Sequence, residues 1–164
     1  MNAIRFGVLL ALLLPGFTYA EDVARAASPD GRITVTLDIN GEGRLAYRVA
    51  RDGKPVIDDS RLGLQLRNGR ALLRNLKLQA QATRDFDEHW ELPWGERRHV
   101  RNHYNELRAQ IVESDRDKRR FDVVFRIYDD GLGFRYEVPK QAALSRAEID
   151  DEHTEFAIAR PATA

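Results

Sequence analysis

Cysteine is absent from all 164 residues of the chain. That excludes disulfides, zinc-thiolate centres, a cysteine nucleophile and the acylated cysteine of a lipoprotein. An excess of charge of either sign is missing too, with 26 Lys and Arg against 26 Asp and Glu. Such a balance offers neither nucleic acid nor an anionic membrane an attractive surface. No Walker loop, no G-x-G-x-x-G and no G-x-S-x-G occurs, which removes the common phosphate-cradling and serine-elbow signatures. Aromatic residues are 9% of the chain and only two are tryptophan, so where those two fall is informative.

One apolar run is present, Phe6 to Leu14. It is too short to span a membrane. Arg5 precedes it, a Pro-Gly break follows, and small residues lead to Ala20. This is the layout of a secretory signal peptide over 1–20, cleaved after Ala20. Loss of Arg5 tips the remaining charge by one negative unit. Residues 21–164 then form one modest domain that leaves no membrane anchor after cleavage. A secreted chain without cysteine suits a Gram-negative periplasm.

The mature part is a series of short strands and turns. "ITVTLDI" (33–39) alternates Ile33, Val35, Leu37 and Ile39 with polar residues, and "RLAYRVA" (44–50) alternates again after the turn "NGEG". "RDGKP" (51–55) contains an Asp-Gly hairpin signal. "LGLQL" (62–66) places three leucines on one face, whereas "ALLRNLKLQA" (71–80) fits a strand or a short helix. In "RFDVVFRIYDDGLGFRYEV" (120–138) two alternating runs flank Asp-Asp-Gly, which predicts a hairpin. The charged stretch 145–156 fits a helix or a strand entering at Phe156, and "TEFAIARPATA" breaks at Pro161. The pattern is all-β, an antiparallel β-sandwich. The unclosed end predicts an incomplete domain with an exposed apolar face.

The densest polar chemistry is "RNHYNEL" (101–107). His99 and His103 have the i, i+4 spacing of a zinc helix, but neither is followed by Glu as H-E-x-x-H requires. Alternation suits a strand better, with His99, His103 and Asn105 on the face of Leu107, Ala109 and Ile111, and Tyr104, Glu106 and Arg108 on the other. Asp129-Asp130-Gly131 is a fragment of a calcium loop at most, and reads as a turn. The acidic run 148–152 reads as a solvated face. Glu88, Glu91, Glu96 and Glu106 supply carboxylates for glycosidase chemistry, but no sequence spacing pairs them across a cleft. Trp90 and Trp94 in "WELPWGE" are either sugar-stacking rings or core anchors.

"SPDGRITVTL", "DGKPVI", "LGLQL", "WELPWGERRHVRNHYNEL" and "VVFRIYDDGLGFRYEVP" follow one another in this order. Together they resemble the N-terminal domain of glycoside hydrolase family 97, secreted α-glucosidases and α-galactosidases. The resemblance implies part of a mutarotase-like β-super-sandwich that packs on a catalytic (β/α)8 barrel. It implies catalytic carboxylates in the barrel, outside this chain, and a calcium ion in the full-length parent held by carboxylates mostly of the barrel, with a contribution from the N-terminal domain that is not matched to Glu106. No cofactor is then expected in this chain, and no hydrolysis by it alone.

On that footing Trp90, Trp94, Asn102, His103, Tyr104, Asn105 and Glu106 are candidates for contact with an α-glucoside or α-galactoside, or with the barrel. None is expected to be catalytic. The alternatives are a free-standing carbohydrate-binding module, a complete small enzyme, and a non-functional gene fragment.

Overall fold

The computed structural model describes residues 22–96, 98–115 and 117–159; the expected leader and Pro161 lie outside them. The described residues contain ten strands and no helix. These are β1 (Asp22–Ala27), β2 (Ile33–Ile39), β3 (Leu45–Arg51), β4 (Lys54–Arg61), β5 (Leu64–Leu66), β6 (Leu76–Glu91), β7 (His99–Glu113), β8 (Arg120–Ile127), β9 (Leu132–Glu137) and β10 (Ile149–Glu152). Two four-stranded antiparallel sheets, β1-β2-β3-β4 and β6-β7-β8-β9, face each other, and β5 pairs with β10 in a small third sheet.

Alternation explains the packing. Ile33, Val35 and Leu37 of β2 and Leu45, Tyr47 and Val49 of β3 point inward from the first sheet. Leu107, Ala109 and Ile111 of β7 and Phe121, Val123, Phe125 and Ile127 of β8 meet them from the second. The two sets form one buried cluster, as expected for two sheets packed face to face. The β8–β9 hairpin turns where the Asp-Asp-Gly signal places it, with Tyr128 N–H donating to the Gly131 carbonyl. The β3–β4 turn has Asp52 and Gly53 both at positive φ, 51° and 73°, the two-residue turn that Asp-Gly favours.

Tyr47 sits at the centre, fully buried. Its ring lies 5.9 Å from Phe125, 5.4 Å from Phe134 and 6.4 Å from Phe156. Its hydroxyl donates to the Glu155 carbonyl at 2.9 Å. Burial, with Tyr136 nearby, pushes the phenol up to about 12. One residue therefore joins both sheets to the segment after β10. That segment also covers the β4 edge, through Asp58 N–H to the Ala157 carbonyl and Ala159 N–H to the Val56 carbonyl. It settles the stretch 145–156 as a strand, β10, followed by an extended chain rather than a helix. Val56, Phe156 and Ile158 remain exposed along this edge.

The sequence left 71–80 open between strand and helix. The structure makes a bridge at Leu72, a turn, and then β6 from Leu76, which runs on through the polar stretch to Glu91. At the root of this turn Arg119 and Glu113 form a buried ion pair, 5% and 3% exposed, with two hydrogen bonds between guanidinium and carboxylate. Arg119 Nη1 also donates to the Arg70 carbonyl at 2.8 Å and so ties the loop to the sandwich. Removing one partner of such a pair leaves a buried charge without compensation. Glu113→Ala is therefore expected to cost about 3–5 kcal/mol in urea unfolding, and a loss below about 1 kcal/mol would show that the pair contributes little.

Candidate functional site

β7 outlasts its neighbour. It pairs with β6 along its whole length, but with β8 only from Asn105 to Val112. Residues 99–104 and their partners 86–91 thus form a two-stranded ribbon that reaches past the sandwich. The chain reverses at its tip over Leu92, Pro93, Trp94 and Gly95. "RNHYNEL" spans the junction, with its first half on the ribbon and Leu107 in the core.

The pleat divides the ribbon into two faces, and the division expected from alternation holds. On the face continuous with the core, Asp85, Asp87, His89 and Glu91 stand opposite Asn105, His103, Arg101 and His99. Arg101 donates from Nε and Nη2 to the two carboxylate oxygens of Asp87, both at 2.7 Å. That bidentate bond, with Arg101, His103 and His89 adding attraction, holds the Asp87 carboxyl down to about 2. Asn105 Nδ2 donates to the Ala27 carbonyl at 2.9 Å and pins the ribbon root to β1.

The opposite face is aromatic at its base. The Tyr104 ring is buried between Phe86, stacked at 4.8 Å and 17°, and Tyr128 at 5.1 Å. The Arg126 guanidinium lies 4.9 Å from the Tyr104 ring centre, within cation–π range. Burial raises the Tyr104 phenol above its usual range, and Arg126 opposes that shift. Glu106, 7% exposed, accepts a long hydrogen bond from Arg126 Nε at 3.4 Å and has Arg135 Nη2 at 3.9 Å. Asn102 bridges the face, donating to Glu88 at 3.1 Å and accepting from the Tyr128 hydroxyl at 3.4 Å. Trp90 shares this face further out and is 44% exposed; Trp94 at the tip is 84% exposed.

The seven sequence candidates are thus not one cluster. Trp90, Asn102, Tyr104 and Glu106 share a face, His103 and Asn105 lie behind it, and Trp94 caps the tip. Tyr104 and Glu106 are enclosed by neighbours, while both tryptophans are exposed and anchor no core. Sequence reasoning missed Phe86 and Arg126, which shape the aromatic base, and the Arg101–Asp87 clamp. Phe86 and Trp90 are four residues apart and so share a strand face, a usable signal once 85–91 is taken as a strand.

The family model for the glycosyl-hydrolase 97 N-terminal domain matches residues 26–164. The chain belongs to this family. It is 31% identical over 129 residues to the retaining alpha-galactosidase of Bacteroides thetaiotaomicron, spanning 79% of this chain and 18% of that protein. It is 30% identical over 122 residues to a probable retaining alpha-galactosidase of Streptomyces bingchenggensis, spanning 74% and 18%. A glycoside hydrolase family 97 enzyme from Pseudoalteromonas sp. strain K8, solved with acarbose, superposes with a TM-score of 0.77 at 33% identity, covering 83% of this chain and 20% of that one. The glycosyl-hydrolase 97 N-terminal domain described here therefore spans about a fifth of the length of these relatives.

The Asp87 carboxyl gives the ribbon a defined acid response. Its folded-state value lies below the ordinary 3.8, so its stabilising effect is present above the ordinary value and is lost as pH falls towards the folded one. Trp90 fluorescence is expected to report ribbon loosening between about pH 4 and 2. In Asp87→Asn that transition should vanish. Persistence in the variant would assign it elsewhere.

Proposed function

We propose that this chain is the N-terminal module of a secreted, periplasmic α-glycoside hydrolase. It supports the catalytic part and offers carbohydrate a binding surface on its ribbon, with no hydrolysis of its own. The observation that carries this reading is the ribbon itself, which takes β7 away from the core and ends in an exposed tryptophan. An apolar ring face beside hydrogen-bonding side chains is what a sugar requires, because its C–H surface stacks while its hydroxyls need donors and acceptors. Trp90 and Trp94 supply the rings; Asn102 and Glu88 supply the polar groups next to Trp90 on the same face. The relatives named above are α-galactosidases, and the superposed enzyme was solved with acarbose. Both an α-galactoside and an α-glucoside therefore suit the reading as ligands.

The catalytic carboxylates are assigned to the barrel of the parent protein. Calcium, implied for that parent, does not suit Glu106, whose carboxylate faces the two cations Arg126 and Arg135. Among the described residues no group of three or more His, Asp or Glu is placed to hold a metal ion. For the parent, the resemblance assigns the ion mostly to barrel carboxylates, with a contribution from the N-terminal domain.

Calorimetric titration of the 164-residue chain with α-gluco- and α-galacto-oligosaccharides tests the surface. Saturable binding is expected, and Trp94→Ala should weaken it by about 1–2 kcal/mol. No heat with either sugar series, or unchanged affinity in Trp94→Ala together with Trp90→Ala, would remove carbohydrate binding and leave interdomain support alone.

A further inference from the structure

A cleft of about 460 Å³ opens away from the ribbon, where the start of β3, the end of β4, the turn before β6 and the chain after β10 come together. Leu45, Leu62 and Leu73 give it apolar lining, Arg44, Arg61 and Arg74 contribute positive charge, and Glu152 and Glu155 contribute carboxylates, the first accepting from the Thr154 hydroxyl and the second from Arg61. Its volume suits a molecule of monosaccharide size.

The cleft is firmly built. Two glycines allow its backbone segments to approach closely. A Cβ on Gly43, at φ 68°, would lie 2.6 Å from Leu76 N, and one on Gly63 would lie 2.3 Å from Leu73 Cδ2 and 2.8 Å from the Leu72 carbonyl. Leu76 N–H donates to the Gly43 carbonyl at 3.0 Å, locking the same contact. Arg44 follows one glycine directly and Arg74 lies within the turn they clamp. Both are thus carried on backbone fixed before any ligand arrives, which lowers the ordering cost of binding.

The three guanidiniums differ in what satisfies them. Arg61 is taken up by Glu155, which accepts from its backbone N–H and from its side chain. Arg44 Nε is buried 2.9 Å from Glu42 Oε2 but at an angle that makes no hydrogen bond. Arg74, exposed, makes no ion pair or hydrogen bond among the described residues. Two cations with spare donors therefore border one cleft. The one ring in its lining is the His153 imidazole, and no tryptophan, tyrosine or phenylalanine offers a sugar a broad stacking surface there, whereas carboxylate and phosphate oxygens match guanidinium donors directly.

We propose that this cleft binds a small molecule bearing a carboxylate or phosphate group, held by Arg44 and Arg74 over the leucine floor. The site is independent of the ribbon and of its tryptophans. Amide chemical-shift titration of the whole chain with glucuronate, glucose 6-phosphate and glucose tests it. Saturable shifts at Leu45, Leu62, Leu73 and Thr154 are expected with one or both anions and not with glucose; the anion that responds identifies the head group. Arg74→Gln, at an exposed position that does not threaten folding, should weaken binding roughly tenfold. Trp94→Ala should leave this binding unchanged, which separates it from sugar binding on the ribbon. The proposal is overturned by absence of saturable shifts up to roughly 10 mM ligand, by equal response to glucose, or by unaltered affinity in Arg74→Gln.

Discussion

A mismatch in strand length governs this molecule. β7 runs for 15 residues beside an eight-residue β8. Where the two are paired, β7 gives Leu107, Ala109 and Ile111 to the core. Where β8 has ended, β7 can pair only with β6, and both leave the sandwich as a ribbon. An isolated two-stranded ribbon is marginal in water. This one is held by cross-strand contacts, the Arg101–Asp87 clamp on one face and Phe86 stacked on Tyr104 on the other. The surface proposed to meet sugar or a catalytic partner follows directly from that mismatch.

The sandwich below must stay rigid for the ribbon to be aimed. Tyr47 and the Arg119–Glu113 pair accomplish this by different physics. Tyr47 contributes ring packing across both sheets and a hydrogen bond to the final segment. Arg119 fixes the loop that introduces β6. Asn105 then links the ribbon root to β1. The small β5–β10 sheet and the glycine-clamped turn close the far end, so the two proposed binding surfaces occupy separate parts of one frame.

Much of this frame was legible in the sequence because local patterns report it. The 120–138 hairpin announced itself by two alternating runs around Asp-Asp-Gly, and the face division of 99–111 followed from period two alone. β6 beyond residue 80 was not legible. Its "ATRDFDEHWE" has no apolar alternation, since neither face of a protruding ribbon meets a core. The surroundings of Glu106 were hidden for another reason. Arg126 and Arg135 lie on strands 20 and 29 residues later, and only register places them beside it. The exposure of Trp90 and Trp94 depended in turn on the ribbon, so the sequence could name them without saying which way they face. Family membership was carried by ordered motifs, independently of any of these physical readings.

Hydrogen–deuterium exchange along β7 tests the two-part strand most directly. Amides facing β8 between Leu107 and Val112 should exchange only through global unfolding. Those of residues 99–104 should exchange far faster, through local opening of the ribbon. Uniform, slow exchange along all of β7 would contradict the division of this strand into a core half and a free half.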